Sequence, residues 1–409
     1  MKHLPLLFGA LLVLSGCATR RNYNPSQKLS PEALQKDYAL FRTILEESHP
    51  SLYWYTPKDS VDAYFDKGAA QLNDSLPEFK FRNILSSVIS KIRCGHTSIM
   101  PSAAAIRYSE RTRSFALPLS VKAWPDTVLV TSNLNRKDTV VKRGVILKSI
   151  EGRPIQNIVD SFFSHLSADG YNTTHKYQTL SNGGAFRNLY GSFYGLHTKM
   201  KVEFLDSSGQ LKAAVLDVYN PNNDTPRINP PAHRPSARER KRMALQATRN
   251  LRIDTGLHTA FMELNAFTKH NKLRSFFRKS FREMKKQSVS NLVVDLRGNG
   301  GGSVVLSNLL TKYIAKQPFK IADSIYALKR RSSYGRYIES YWENRLFLML
   351  MVHRKKDGYY HFSLYENKYF KPKKKNHFDG TVYILTGGNT FSAATLFAKT
   401  LKDQENVYT

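Results

Sequence analysis

Hydrophobic positions recur with a helical period in the first quarter of the chain. Ser30-Pro31-Glu32 reads as a helix start: serine as N-cap, proline at the first helical position and an acid in the first turn. Leu34, Tyr38, Phe41 and Leu45 follow at helical spacing, and His49-Pro50 closes the segment. The spacing predicts a second helix over residues 60–72. It predicts a third carrying Ile84, Leu85, Val88, Ile89 and Ile92 on one face. Residues 30–112 thus read as a helical subdomain. Within it, Cys94-Gly95-His96-Thr97 breaks the pattern as an exposed turn that carries a histidine.

From Phe115 the period shortens. Val128-Leu129-Val130, Val145-Ile146-Leu147 and Ile150 are strand-like, and two strand segments flank a turn between Arg143 and Ile155. A helix is expected from Asn157 to Leu166. Residues 113–218 therefore read as a β-rich module. Pro221, Pro226, Pro230, Pro231 and Pro235 mark residues 219–250 as a linker, and Arg238-Glu239-Arg240-Lys241-Arg242 within it reads as a solvated loop. Residues 251–409 return to alternation: a strand over 260–267, then a helix with Leu273, Phe276, Phe277, Phe281 and Met284 on its apolar face.

Composition alters this picture in two respects. With 62 Lys and Arg against 32 Asp and Glu, the chain carries a formal charge of +30. Such a charge admits nucleic acid or an anionic surface as a partner. The N-terminus argues for the membrane. Met1-Lys2-His3, an apolar run from Leu4 to Leu14 and the small residues before Cys17 form a secretory signal over residues 1–16, too short to span a bilayer. Leu14-Ser15-Gly16-Cys17 resembles a bacterial lipobox, which implies cleavage before Cys17, lipidation of its thiol and a tether over residues 17–29. An exported, lipid-anchored protein has no expected specific nucleic-acid partner. Cys94 is then the only other thiol, so no internal disulfide is expected.

The chemistry lies in two strand–loop–helix units. Strand 291–296 runs into the glycine-rich turn Arg297–Ser303 and a helix over 304–315. Strand 381–386 runs into Gly387-Gly388-Asn389-Thr390-Phe391 and a helix opened by Ser392. Repeated units of this kind imply parallel strands, with both loops at carboxyl ends where open α/β sheets place their sites. A serine at a helix N-terminus faces unpaired N–H groups able to hold an oxyanion. Other motifs fail: the glycine turn lacks the register of a dinucleotide fingerprint, no P-loop lysine is present, and Ser392 lies in neither G-x-S-x-G nor S-x-x-K.

Asp295-Leu296-Arg297-Gly298-Asn299-Gly300-Gly301-Gly302 resembles the D-x-R-x-N-x-G-G signature of the tail-specific (C-terminal processing) serine peptidases. Thr390-Phe391-Ser392-Ala393-Ala394 resembles that family's nucleophile segment. The resemblance implies an α/β fold with a crotonase/ClpP-like ββα core, the helical N-terminal subdomain and a PDZ-like module that captures extended peptides. It implies Ser392 as nucleophile, the N–H groups of Gly301 and Ala393 as oxyanion hole, and Asp295, Arg297 and Asn299 as supports of the glycine loop. One branch of the family uses a lysine about two dozen residues after the serine. The other, resembling the tricorn core, uses an upstream histidine. Lys399 and Lys402 follow Ser392 too closely for the first, and Cys94-Gly95-His96-Thr97 resembles the histidine segment of the second, so His96 is the expected base. No metal or organic cofactor is implied. Family members continue beyond the position of Thr409, so the core is expected to be incomplete here. The expected function is an envelope, periplasm-facing lipoprotein endopeptidase acting on unfolded or C-terminal peptide segments. The alternative is a peptide-binding lipoprotein, or an inactive truncated homologue, that keeps the fold without turnover.

Overall fold

The computed structural model describes residues 23–112, 114–222 and 235–409. The signal segment, Cys17 and the rest of the tether as far as residue 22, and Pro226, Pro230 and Pro231 of the linker lie outside the described residues.

Three hydrophobic clusters organise the chain into a mixed α/β structure with several sheets. The first is helical. Helix α1 (Pro31–Ser48) starts as its sequence dictates, with Ser30 Oγ accepting the Ala33 N–H, and ends at His49. Helices α2 (Lys58–Ala69) and α3 (Glu78–Ile92) pack Phe65, Val88, Ile89 and Ile92 against Leu34 and Tyr38. Arg93 caps α3 in the left-handed conformation, φ 59°, and turns the chain into Cys94-Gly95-His96. Helix α4 (Ala103–Arg111) leads out of this unit.

The second cluster belongs to an antiparallel sheet in the order β1 (Leu119–Trp124), β2 (Thr127–Asn133), β3 (Ile146–Ile150), β4 (Lys199–Leu205) and β5 (Leu211–Asp217). The turn read around residue 151 is present, with Glu151 and Gly152 both at positive φ. Helix α5 (Ile155–Phe163) arises within three residues of its expected place. Two helices that periodicity did not reveal, α6 (Thr174–Ser181) and α7 (Ala185–Tyr194), complete the cover with Leu180, Phe186 and Tyr190.

The charged segment at 238–242 is not a loop. It lies in helix α8 (Ala237–Thr248), which starts with a capping box: Ser236 Oγ accepts the Glu239 N–H, and the Glu239 carboxylate accepts the Ser236 N–H. The Ser236-x-x-Glu239 spacing was visible in the sequence, but the run of cations obscured it.

The third cluster is built on a five-stranded sheet whose spatial order follows the chain: β6 (Arg249–Asp254), β7 (Thr259–Leu264), β8 (Asn291–Asp295), β9 (Thr381–Leu385) and β10 (Val407–Tyr408). Strand β6 is antiparallel to β7, and the remaining pairs are parallel, in agreement with the two strand–loop–helix units. Helices α9 (Leu273–Lys286), α10 (Val304–Ile314) and α12 (Ala393–Leu401) follow strands β7, β8 and β9. Helix α11 (Tyr341–Met351) lies in the long crossover before β9. Phe277, Phe281, Leu310, Phe397 and Leu401 are buried against the sheet. Such burial yields roughly 1.5–3 kcal/mol per large apolar side chain. No helix among the described residues is long and apolar enough to cross a membrane.

Candidate active site

The turn after β8 is held by Asn299, whose side chain is fully buried. Its Nδ2 donates to the Leu264 carbonyl at the end of β7 (2.9 Å), and its Oδ1 accepts the Gly301 N–H (2.9 Å). Its backbone carbonyl accepts the Phe391 N–H (3.0 Å), and Leu296 O accepts the Thr390 hydroxyl (2.7 Å). One amide thus locks the glycine turn to the sheet and to the loop before α12. Asp295 and Arg297 form an ion pair, with Arg297 Nη2 2.7 Å from Asp295 Oδ2. The Arg297 guanidinium and N–H hold the Asp295 carboxyl below the usual carboxylate range.

Ser392 is the N-cap of α12 at φ 52°, ψ −123°, a region that favours glycine. Non-glycine residues held there carry of order 1–3 kcal/mol of strain and cluster at functional sites. Gly301 is what admits this geometry. A Cβ on it would meet Ser392 Cβ at 2.6 Å, Phe391 O at 2.7 Å and Ala393 N at 2.9 Å, and its φ is +99°. Gly301→Ala is accordingly expected to lower stability by about 2–4 kcal/mol, by analogy with overpacking and strained-backbone substitutions, as read from the urea midpoint.

The two expected oxyanion donors differ. The Ala393 N–H makes no hydrogen bond among the described residues, whereas the Gly301 N–H is taken by Asn299 Oδ1.

Structure brings His96, from a different unit, against Phe391, the residue before Ser392, with the two rings 4.4 Å apart. The approach depends on Gly95, where a Cβ would stand 2.8 Å from the Phe391 ring. No hydrogen bond joins His96 to Ser392 among the described residues. Cys94 and Thr97 flank the histidine. His49 Nε2 lies 2.8 Å from Thr97 Oγ1, and the His49 ring, with Thr97 and despite burial, brings the Cys94 thiol down to about 7.

Two residues of this neighbourhood were not read from the sequence. Asp169 Oδ1 accepts the Gly95 N–H at 2.7 Å, and its carboxylate lies within 4.8 Å of a His96 ring nitrogen. His175, on α6, stacks on Phe391 at 5.5 Å and sets its Nδ1 2.8 Å from the Gly388 carbonyl. In that hydrogen bond Nδ1 is the donor, because a carbonyl oxygen only accepts. Gly388 packs so tightly on α6 that a Cβ would meet Thr174 O at 2.6 Å. The helical unit, the antiparallel unit and the α/β core therefore all meet at Phe391.

A cavity of about 480 Å3 opens beside this junction, lined by Gly95, Ile99, His165, His175, Leu189 and Phe193 among others. A larger one of about 1090 Å3 lies away from the serine, between α8, β6 and α9, lined by Arg238, Lys241, Arg242, Arg249, Lys272, Lys279 and Arg282 with Glu239 and Glu283. The smaller cavity lies nearer the junction, because Gly95 and His175, which both approach Phe391, line it.

Comparison with solved structures shows a shared fold. Mature CPAF superposes with a TM-score of 0.57 at 12% identity, over 92% of this chain and 82% of that one. Its complex with lactacystin gives 0.59 at 12% over 92% and 83%, and a CPAF mutant gives 0.60 at 11% over the same shares. No curated protein matches in sequence. Within the α/β core, residues 258–408, which hold the glycine turn and Ser392, match the profile of Peptidase family S41.

Proposed function

We propose that this chain is a serine endopeptidase that cleaves unfolded or C-terminal peptide segments through an acyl-enzyme on Ser392. The observation that carries the reading is the strained Ser392 turn, closed against Gly301 and presenting Ser392 at the N-terminus of α12 with the Ala393 N–H unengaged. The match of residues 258–408 to Peptidase family S41 supports it. So does the fold shared with CPAF, one structure of which is a complex with lactacystin.

In this mechanism His96 accepts the Ser392 hydroxyl proton as Oγ attacks the peptide carbonyl. The resulting oxyanion is held by the Ala393 N–H, with Asn299 keeping Gly301 in place beside it. His96 then returns the proton to the leaving amine, and water hydrolyses the ester. The antiparallel unit serves as a PDZ-like module, adding substrate as a strand at an exposed edge, and the α/β core is of ClpP-like ββα type. Cleavage before Cys17 and lipidation of its thiol would hold the protein at a bacterial envelope membrane, facing the periplasm.

A serine-directed fluorophosphonate probe tests the reading. The full chain is expected to label, with the adduct mapping to Ser392, and His96→Ala is expected to slow labelling by about 10²–10⁴-fold. The second reading, a peptide-binding protein without turnover, is supported by the packing of the tilted His96 ring against Phe391, with no hydrogen bond to Ser392 among the described residues. A folded chain that binds extended peptide but neither labels nor cleaves casein would establish the second reading over the first.

A further inference from the structure

Cys94 Sγ, a ring nitrogen of His96 and a carboxylate oxygen of Asp169 lie within 4.8 Å of one another. We propose that these three groups form a binding site for a zinc-class divalent cation, and that its occupation withdraws His96 from Ser392 and stops hydrolysis. The second half rests on the peptidase reading; the site itself does not.

The donor set selects the metal. A thiolate and an imidazole suit zinc-like ions and are poor ligands for calcium or magnesium. Around a tetrahedral zinc, with metal–ligand distances of about 2.0–2.3 Å, ligand atoms stand roughly 3.3–3.8 Å apart. The three donors must therefore close by no more than about 1.5 Å, a movement within reach of side-chain rotation. His96 and Asp169 are exposed and Cys94 is half-buried, so an ion can enter from solvent.

The backbone around the cluster is already fixed. Left-handed Arg93 sets the direction of the 94–96 turn, and the Gly170 N–H donates to the Arg93 carbonyl at 2.9 Å. Asp169 Oδ1 is anchored by the Gly95 N–H, which leaves Oδ2 to coordinate. A ligating carboxylate held by a hydrogen bond is the usual supporting arrangement at metal sites. The basic side chain that precedes the turn is turned aside: the Arg93 guanidinium lies over the Tyr171 ring at 4.1 Å. Three protein ligands leave a fourth position open, as in sites that exchange their metal or bind a further ligand.

The consequence follows from the reach of His96. A ring nitrogen bound to a cation cannot accept the Ser392 proton, whatever the geometry of the serine loop. The bound ion would act as a reversible inhibitor, and loss of the ion would restore the base.

The test uses the full chain carrying Cys17→Ser, so that Cys94 is the only thiol. Cobalt(II) is titrated as the probe, and the near-ultraviolet thiolate-to-cobalt band is followed. One equivalent is expected to produce the band and zinc to displace it. Cys94→Ser is expected to abolish it, and Asp169→Asn and His96→Ala each to weaken binding by about 100-fold or more. Absence of the band, or binding unchanged by Asp169→Asn, overturns the site. In parallel, zinc is expected to suppress casein hydrolysis and fluorophosphonate labelling of the same chain, with recovery on adding a chelator. Hydrolysis that proceeds with zinc bound overturns the inhibitory role. A chain that binds cobalt as expected yet never hydrolyses or labels supports the site while removing the peptidase reading, so the two fail separately.

Discussion

Ser392→Ala is expected to lower casein hydrolysis by about 10⁴–10⁶-fold, the scale seen when an acyl-forming nucleophile is removed. Ser392→Gly is expected to do the same and also to raise stability by about 1 kcal/mol. The difference comes from the backbone. At φ 52° and ψ −123°, serine and alanine carry the same conformational strain, and only glycine relieves it. Relief of about 1–3 kcal/mol is partly offset by the roughly 0.5–1 kcal/mol that glycine loses through greater freedom of the unfolded chain. Urea unfolding of the three proteins separates the effects. Retained hydrolysis in Ser392→Ala would remove Ser392 as nucleophile. A Ser392→Gly protein less stable than Ser392→Ala would show that the turn stores no strain for the serine to bear.

That strain persists because the contacts around the turn hold it in place. Phe391 is fixed through its N–H by Asn299, through its ring by His96 and His175, and through close approach by Gly95. These partners come from three hydrophobic clusters with separate cores. The arrangement makes the serine sensitive to how those units seat on one another, a coupling not expected of a loop supported by one unit alone.

The same fact explains what was legible in the sequence. Helix α1 could be read because its signals are local: an N-cap serine, a first-turn proline and apolar residues one turn apart. The two glycine turns could be read because each follows a short β-branched strand and precedes a helix, and the motif residues Asp295, Arg297, Asn299 and Ser392 lie within those units. Helices α6 and α7 were missed, since α6 is only eight residues long with Leu180 its single buried side chain. Asp169 and His175 were missed for a stronger reason. Asp169 meets Gly95 across 74 positions of sequence and His175 meets Gly388 across 213, so neither spacing nor composition marks them. The Gly301 N–H was assigned to an oxyanion from its place in the motif. Only the position of the buried Asn299 carboxamide shows that this donor is already engaged.

Asn299→Ala is expected to be among the most destabilising single substitutions in the core, by about 2–5 kcal/mol. It would leave the Leu264 carbonyl and the Gly301 N–H without partners in a fully buried position, each costing about 1–3 kcal/mol. Against a typical domain stability of about 5–15 kcal/mol, that is a large share. Asn299→Asp distinguishes a specific hydrogen-bonding role from simple filling of space. A protonated aspartic acid can donate to the Leu264 carbonyl and accept from the Gly301 N–H, replacing both bonds. An ionised one can only accept, and it places a charge in a fully buried position beside the Leu264 carbonyl. Burial therefore raises the folded-state pKa of the introduced carboxyl above its unfolded value of about 3.9. Its favourable contribution is complete below that unfolded value and is lost as pH rises through the raised folded value. Relative to Asn299→Ala, the Asn299→Asp protein should thus be the more stable near about pH 4 and lose that advantage by about pH 7. Urea midpoints of both variants at the two pH values measure this, and a difference between them that does not change with pH would rule out the paired donor-and-acceptor role for Asn299.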